Sequence, residues 1–258
     1  MILIPPYSGR LWCVAETPHT PNVGAWTGVA AISIAVFTVL EFVIRQVFVG
    51  SRPDLDASDA LVEFAQQTAP GTLAVITVDT FLMAALVVFF AAFRQLITQV
   101  RPDIDWISAL AYGSGLVFVS VTLVGDAMEG GAALDALTRH PDASAIRALT
   151  EGHALMFGPI GCVLTALVAA ASGYVIVASR ALPEWTGNLA VVVAVLNVTA
   201  AVATILGGGT SDDFRSIGGW GTAALATFPW LVWVVCVGVV VIRARRQHHE
   251  SAKAIAPA

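Results

Sequence analysis

Six stretches of this chain are each long and apolar enough to cross a bilayer, and that constrains its fold more than any motif does. They run at 25–48, 72–94, 106–125, 154–178, 187–206 and 221–242. Each is close to the ~20 helical residues that traverse a hydrocarbon core about 30 Å thick. Backbone groups in lipid have no water to bond, so each stretch has to be a helix. The expected fold is all-α: a bundle of six transmembrane helices over 25–242, with a segment 1–24 before it and a polar tail 243–258 after it. Composition agrees, since only 12% of the residues are charged against about 25% in soluble domains. The expected location is the cell membrane, as a multi-pass protein.

Lysine and arginine set the expected orientation. With a cytoplasmic N-terminus, Arg10, Arg94, Arg101, Arg180, Arg243, Arg245, Arg246 and Lys253 fall inside, and Arg45, Arg52, Arg139, Arg147 and Arg215 fall outside. Positive charge favours the cytoplasmic side, so both termini are expected there. The segment Met1-Ile2-Leu3-Ile4-Pro5-Pro6-Tyr7 has no basic start, so the first span is expected to act as an uncleaved signal-anchor. A net charge of −5 argues against a nucleic-acid partner. Cys13, Cys162 and Cys236 form no CxxC pair, and the latter two are expected to be small apolar residues within spans.

The inner loops repeat one pattern. Arg101-Pro102-Asp103-Ile104-Asp105-Trp106 and Arg180-Ala181-Leu182-Pro183-Glu184-Trp185 each place a proline, an acid and a tryptophan at a helix start. That suits the first turn, its dipole and the membrane interface. In the first outer loop a short helix over 59–67, started by Asp56 or Ser58, is expected to end at Pro70-Gly71. Around the breaker His140-Pro141-Asp142, the flanking helices are expected to project beyond the bilayer as a hairpin. Gly207-Gly208-Gly209-Thr210-Ser211-Asp212-Asp213-Phe214-Arg215 reads as a flexible acidic loop, and the tail after Arg246 as disordered.

The polar residues within the spans are the candidate site. Ionisable groups in a membrane are costly unless paired or hydrated, and so mark function. Glu41 lies about seven residues before the outer end of span one, and Asp79 about seven after the outer start of span two. At about 1.5 Å per residue the two carboxylates sit at one depth, and Arg45 is four residues from Glu41. Span three carries Tyr112, Gly115, Val119, Thr122, Asp126 and Glu129 at the three/four spacing of one helix face. Glu151 and His153 stand at the mouth of span four, Asn197 and Thr204 share a face of span five, and Trp230 and Trp233 share a side of span six after Pro229. The Gly158, Gly161, Thr165, Ala169, Ser172 and Gly173 pattern reads as close helix packing. These residues together predict an acidic, aromatic-walled cavity opening outward.

With two acids within spans and one arginine near them, one carboxylate must find another partner, bind a cation or keep its proton. Asp79 is the expected one. Three function classes fit. In an acid-catalysing enzyme on a lipid or terpenoid-like substrate, Glu41, Asp79 and Asp126 would be the acids. Arg45, Tyr112, Glu129, His153, Asn197, Trp230 and Trp233 would then bind a hydrophobic small molecule or membrane lipid. In a proton- or cation-linked transporter or binding module, the same carboxylates would capture the cation, with His153 as a nitrogen ligand if it were a metal. The third class is an accessory subunit of a membrane complex. No HxxxH or HExxH motif and no paired Asp-rich motif is present, so no metal site and no cofactor is assigned.

In outline the chain resembles small polytopic terpene cyclases that use carboxylates for proton-initiated cyclisation. The six-span plan, Ser179-Arg180-Ala181-Leu182-Pro183-Glu184-Trp185-Thr186-Gly187 and the stretch from Pro229-Trp230 to Arg243 resemble an uncharacterised family of bacterial membrane proteins common in actinobacteria. That second resemblance implies a fold and no chemistry.

Overall fold

A computed structural model describes residues 22–54, 58–207 and 220–255. All regular structure among them is helical: α1 (Val23–Ile44), α2 (Ser58–Val100), α3 (Asp105–Ala136), α4 (Ala143–Leu155), α5 (Gly161–Ser179), α6 (Glu184–Gly207), α7 (Trp220–Thr222) and α8 (Phe228–Ile255). Wider π turns follow α1 at Arg45–Val49, join α4 to α5 at Met156–Ile160, and join α7 to α8 at Ala223–Thr227. Six continuous helical stretches can span a membrane: Val23–Val49, Ser58–Val100, Pro102–Ala136, Ala143–Ser179, Glu184–Leu206 and Ala224–Ala244. The protein is a polytopic helical membrane bundle.

The spans close into a ring in which α1 packs on α2, α2 on α3, α3 on α5, α5 on α6, α6 on α8 and α8 back on α1. Gly28 of α1 lies against Ile242 near the end of the last span, so the start of the first span and the end of the last share one end of the bundle. We call that end proximal and the opposite one distal.

Hydropathy located the six spans, but their distal extensions differ from the sequence-based expectation. No separate helix ends at Pro70-Gly71, because α2 runs through Pro70 as one helix of 43 residues, about 65 Å long. Proline removes one backbone donor, to the carbonyl of Gln66, and both residues are exposed, so water can satisfy that oxygen. Gly71 is needed there for another reason. A Cβ on it would lie 2.9 Å from the Cβ of Phe48 and 3.0 Å from its carbonyl oxygen, so the π turn after α1 rests directly on this position.

The helical hairpin around His140-Pro141-Asp142 is present, between α3 and α4. Asp142 caps α4 by accepting from the amides of Ser144 and Ala145 at 2.8 and 3.3 Å. Leu61 of α2, Ala132 and Ala136 of α3 and Ile146 of α4 form a small apolar core beneath it. The distal ends of these three helices therefore make a cap, held together by a small apolar core of its own. The last helix continues to Ile255, so the backbone after Arg246 is helical where disorder was expected. The acidic Asp212-Asp213 loop and Asp56 lie outside the described residues.

At the proximal end the loops are tied by charge. Arg94 forms a two-pronged contact with Asp105 at 2.9 and 3.1 Å, Thr98 and Ser108 bond the same carboxylate, and Arg101 donates to the carbonyl of Ala178 at 3.2 Å. Trp106 and Trp185 are 70% and 51% exposed, which suits interfacial anchors. The proximal half of the core is aromatic. Phe89, Phe90 and Phe93 of α2 pack with Trp230 and Trp233 of α8, and the Trp233 indole donates to the carbonyl of Thr186 at 3.0 Å.

One contact sets the register of α2 against α3. A Cβ on Gly115 would sit 2.5–2.9 Å from three ring carbons of Phe90, and Phe90 is itself held by Phe89 and Trp230. Only glycine admits the ring. Gly115→Ala is expected to destabilise the protein by about 1–3 kcal/mol through overpacking, measured by thermal unfolding in detergent, whereas the same change at Gly113, with open space around it, is expected to be silent.

Candidate functional site

Eleven residues distal of the Phe90–Gly115 contact on each helix stand Asp79 and Asp126. In that antiparallel register they meet, and their carboxyl groups lie within hydrogen-bonding reach of one another. Both are buried, at 2% and 4% exposure, and the Oδ2 atom of each has no hydrogen-bond partner among the described residues. Two carboxyl groups can bond to each other only if they share a proton.

One turn further along α3, Glu129 is the hub of the remaining charges. Arg45 grips it with two donors at 3.4 and 3.2 Å, Arg52 approaches at 3.4 Å, and His153 Nε2 stands 3.5 Å away. The other imidazole nitrogen, Nδ1, lies 3.0 Å from the carbonyl of Gly125, and the ring packs on Phe157. Glu41 is at the edge of the group, with Arg45 Nε 3.9 Å from its carboxylate. Four carboxyl groups (Glu41, Asp79, Asp126, Glu129) thus face two guanidinium groups (Arg45, Arg52), and the arginines cluster at Glu129 rather than at the Asp79–Asp126 pair.

Most of this cluster is legible in the sequence, and the expected neighbours Glu41 and Arg45 are in salt-bridge range at 3.9 Å. Arg45 goes chiefly to Glu129, because α3 presents that residue at the level where the first helix ends. Arg52 was counted as a loop charge, so the tally of a single nearby arginine was wrong. A signal for it existed: Arg52 lies two helical turns beyond Arg45, and the π turn with Gly50 in the left-handed region (φ 72°) returns it to the same side. The α3 stripe is indeed the buried face, with Gly115, Val119, Thr122, Asp126 and Glu129 all buried.

Other expected site residues lie elsewhere. Tyr112 packs under Arg94, 5.8 Å from the guanidinium, fourteen residues or about 21 Å from Asp126 along α3. Trp230 and Trp233 belong to the proximal aromatic core. Asn197 is buried on α6, donating to the carbonyl of Val193 at 2.9 Å, and α6 packs on α5 and α8 rather than on α2 or α3. Tyr112, Trp230 and Trp233 therefore do not wall the acids.

Two spaces among the described residues bear on the acids. One, of about 310 Å³, is an open groove along Leu116, Val117, Ser120, Val121 and Val124 of α3 and Met156. Val117 is nine residues from Asp126, which places it half a turn away, on the far side of α3. The other, of about 30 Å³, is bounded by Arg52, Leu61, Phe64, Ala65, Thr68, Thr72, Glu129, Ala132, Ala133 and Thr150. It lies under the cap and touches the charged cluster. No group of three or more His, Cys, Asp or Glu side chains is arranged to hold a metal ion among the described residues.

Fold and site together define a six-span helical membrane protein with a buried carboxyl cluster in its distal half. No protein-family model matches the chain, and neither a curated protein nor a solved structure shows significant similarity to it.

Proposed function

We propose that the protein takes up and releases protons at the Asp79–Asp126 pair as part of proton-linked transport across the cell membrane. The observation that carries this reading is the pair itself: two buried carboxyl groups facing each other, with both arginines of the cluster committed to Glu129. Intramembrane acids of this kind serve proton relays. The lysine and arginine asymmetry of the loops favours cytoplasmic termini, which turns the cluster toward the outside.

The geometry favours proton exchange over acid catalysis on a lipid or terpenoid. A substrate of that size would need the α3 groove to reach the acids, and the groove runs along the opposite face of the helix. The space that does touch the cluster holds about one water molecule.

Purified protein in liposomes, with a pH-sensitive dye inside and an imposed pH gradient, tests the reading. Proton movement above that of empty liposomes is expected, reduced at least tenfold in both Asp79→Asn and Asp126→Asn. Wild-type protein that moves protons no faster than empty liposomes under any solute gradient would overturn it, and turnover of a lipid without proton flux would favour the enzyme.

A further inference from the structure

We infer that the small cavity beneath the cap is a hydrated port through which protons from the distal side reach the carboxyl pair, a proposal that rests on the proton-exchange reading. Thr68 and Thr72 of α2 are eleven and seven residues before Asp79, so each stands within about 20° of Asp79 on one helix face. Ala133 and Glu129 stand above Asp126 on the facing side of α3. The cavity therefore sits on the axis of the pair, about 10 Å distal of it.

Its lining suits water. Five of its ten residues are polar: Arg52, Thr68, Thr72, Glu129 and Thr150. The Thr68 hydroxyl donates to the carbonyl of Phe64 at 2.8 Å, which leaves its oxygen free to accept. A buried water needs roughly 10–15 Å³ and two to four polar partners, and about 30 Å³ with five polar side chains meets both conditions. From the cavity, Glu129 leads on to Asp126, one helical turn or about 5 Å away. The direct line along α2 is closed by Val75, which is 1% exposed and lies between Thr72 and Asp79. Water thus enters as far as Glu129, and a proton passes the last turn between side chains. His153 and Arg45 flank that step and Glu41 stands at its edge, so the port opens into the charged group rather than onto bare lipid.

The test uses the full chain with Cys13, Cys162 and Cys236 replaced by alanine. Single cysteines are placed at Thr68, Thr72 and Val75, and reaction with mercuric ion is followed by mass spectrometry. Thr68→Cys and Thr72→Cys are expected to react at least tenfold faster than Val75→Cys. A Thr72→Cys thiol no faster than Val75→Cys would overturn the port, whatever the carboxyl pair does. A second measurement avoids the cysteines: in Thr68→Val/Thr72→Val, hydrogen–deuterium exchange of the Asp79–Asp126 carboxyl groups, read from their infrared C=O band, is expected to slow several-fold. An unchanged rate would overturn the port as the route. If wild-type protein shows no exchangeable carboxyl band, the proton-exchange reading fails, and the mercuric-ion rates still decide whether the cavity is wet.

Discussion

Glu129→Gln is expected to lower the unfolding free energy by about 3–5 kcal/mol, the usual cost of removing one partner from a buried ion pair. The effect should be this large because the carboxylate serves Arg45 twice, Arg52 once and His153 at longer range, and glutamine keeps the shape without the charge. Arg45 would then keep only its long contact with Glu41, at the edge of salt-bridge distance. Glu41→Gln is the control, since its side chain is 22% exposed and its contact with Arg45 is loose. A loss of at most about 1 kcal/mol is expected there. Thermal unfolding in one detergent compares the two, and equal losses would remove Glu129 from its central place.

Asp79→Asn should behave in the opposite way, with function lost and the fold kept. Asparagine is close in size to aspartic acid, and its amide can donate to the Asp126 carboxylate, replacing the shared proton by a fixed one. The second amide N–H is the one new buried donor, so the change in stability is expected to stay at about 1 kcal/mol, while proton movement falls at least tenfold. Asp126→Asn is the mirror experiment. A variant that unfolds like Gly115→Ala would show the pair to be packing polarity, and one that moves protons normally would show that it is not the exchange site.

Much of this architecture was legible because membrane helices obey a one-dimensional rule. The six spans follow from apolar run length, and the common depth of Glu41 and Asp79 follows from helical rise. Rotation about each helix was less legible. Placing Trp230 and Trp233 beside the acids needed the facing direction of α8, which is set by the Trp233 bond to Thr186 and by stacking on Phe89 and Phe93. None of these contacts leaves a periodic trace in the sequence. Arg52 was missed for a different reason: a loop arginine returns to the cluster only because of a π turn and a left-handed glycine. The Thr68–Thr72–Asp79 stripe is hidden in the sequence by the helix break expected at Pro70-Gly71, which falls between Thr68 and Thr72.

The π turns have a mechanical consequence. α2 carries the cap contact at Leu61, the carboxyl at Asp79 and the aromatic core at Phe89 and Phe93 on a single rod without a break, so those three levels cannot slide past one another. α1 and the α4–α5 span are jointed beside the cluster, at Arg45–Val49 and at Met156–Ile160, where Gly158 leaves helical geometry with ψ −109°. A joint of this kind can absorb displacement that a straight helix must transmit. Arg45 begins one joint and His153 lies three residues before the other. Two of the side chains that hold Glu129 therefore ride on movable arms, while Glu129 and Asp79 sit on the unbroken helices α3 and α2.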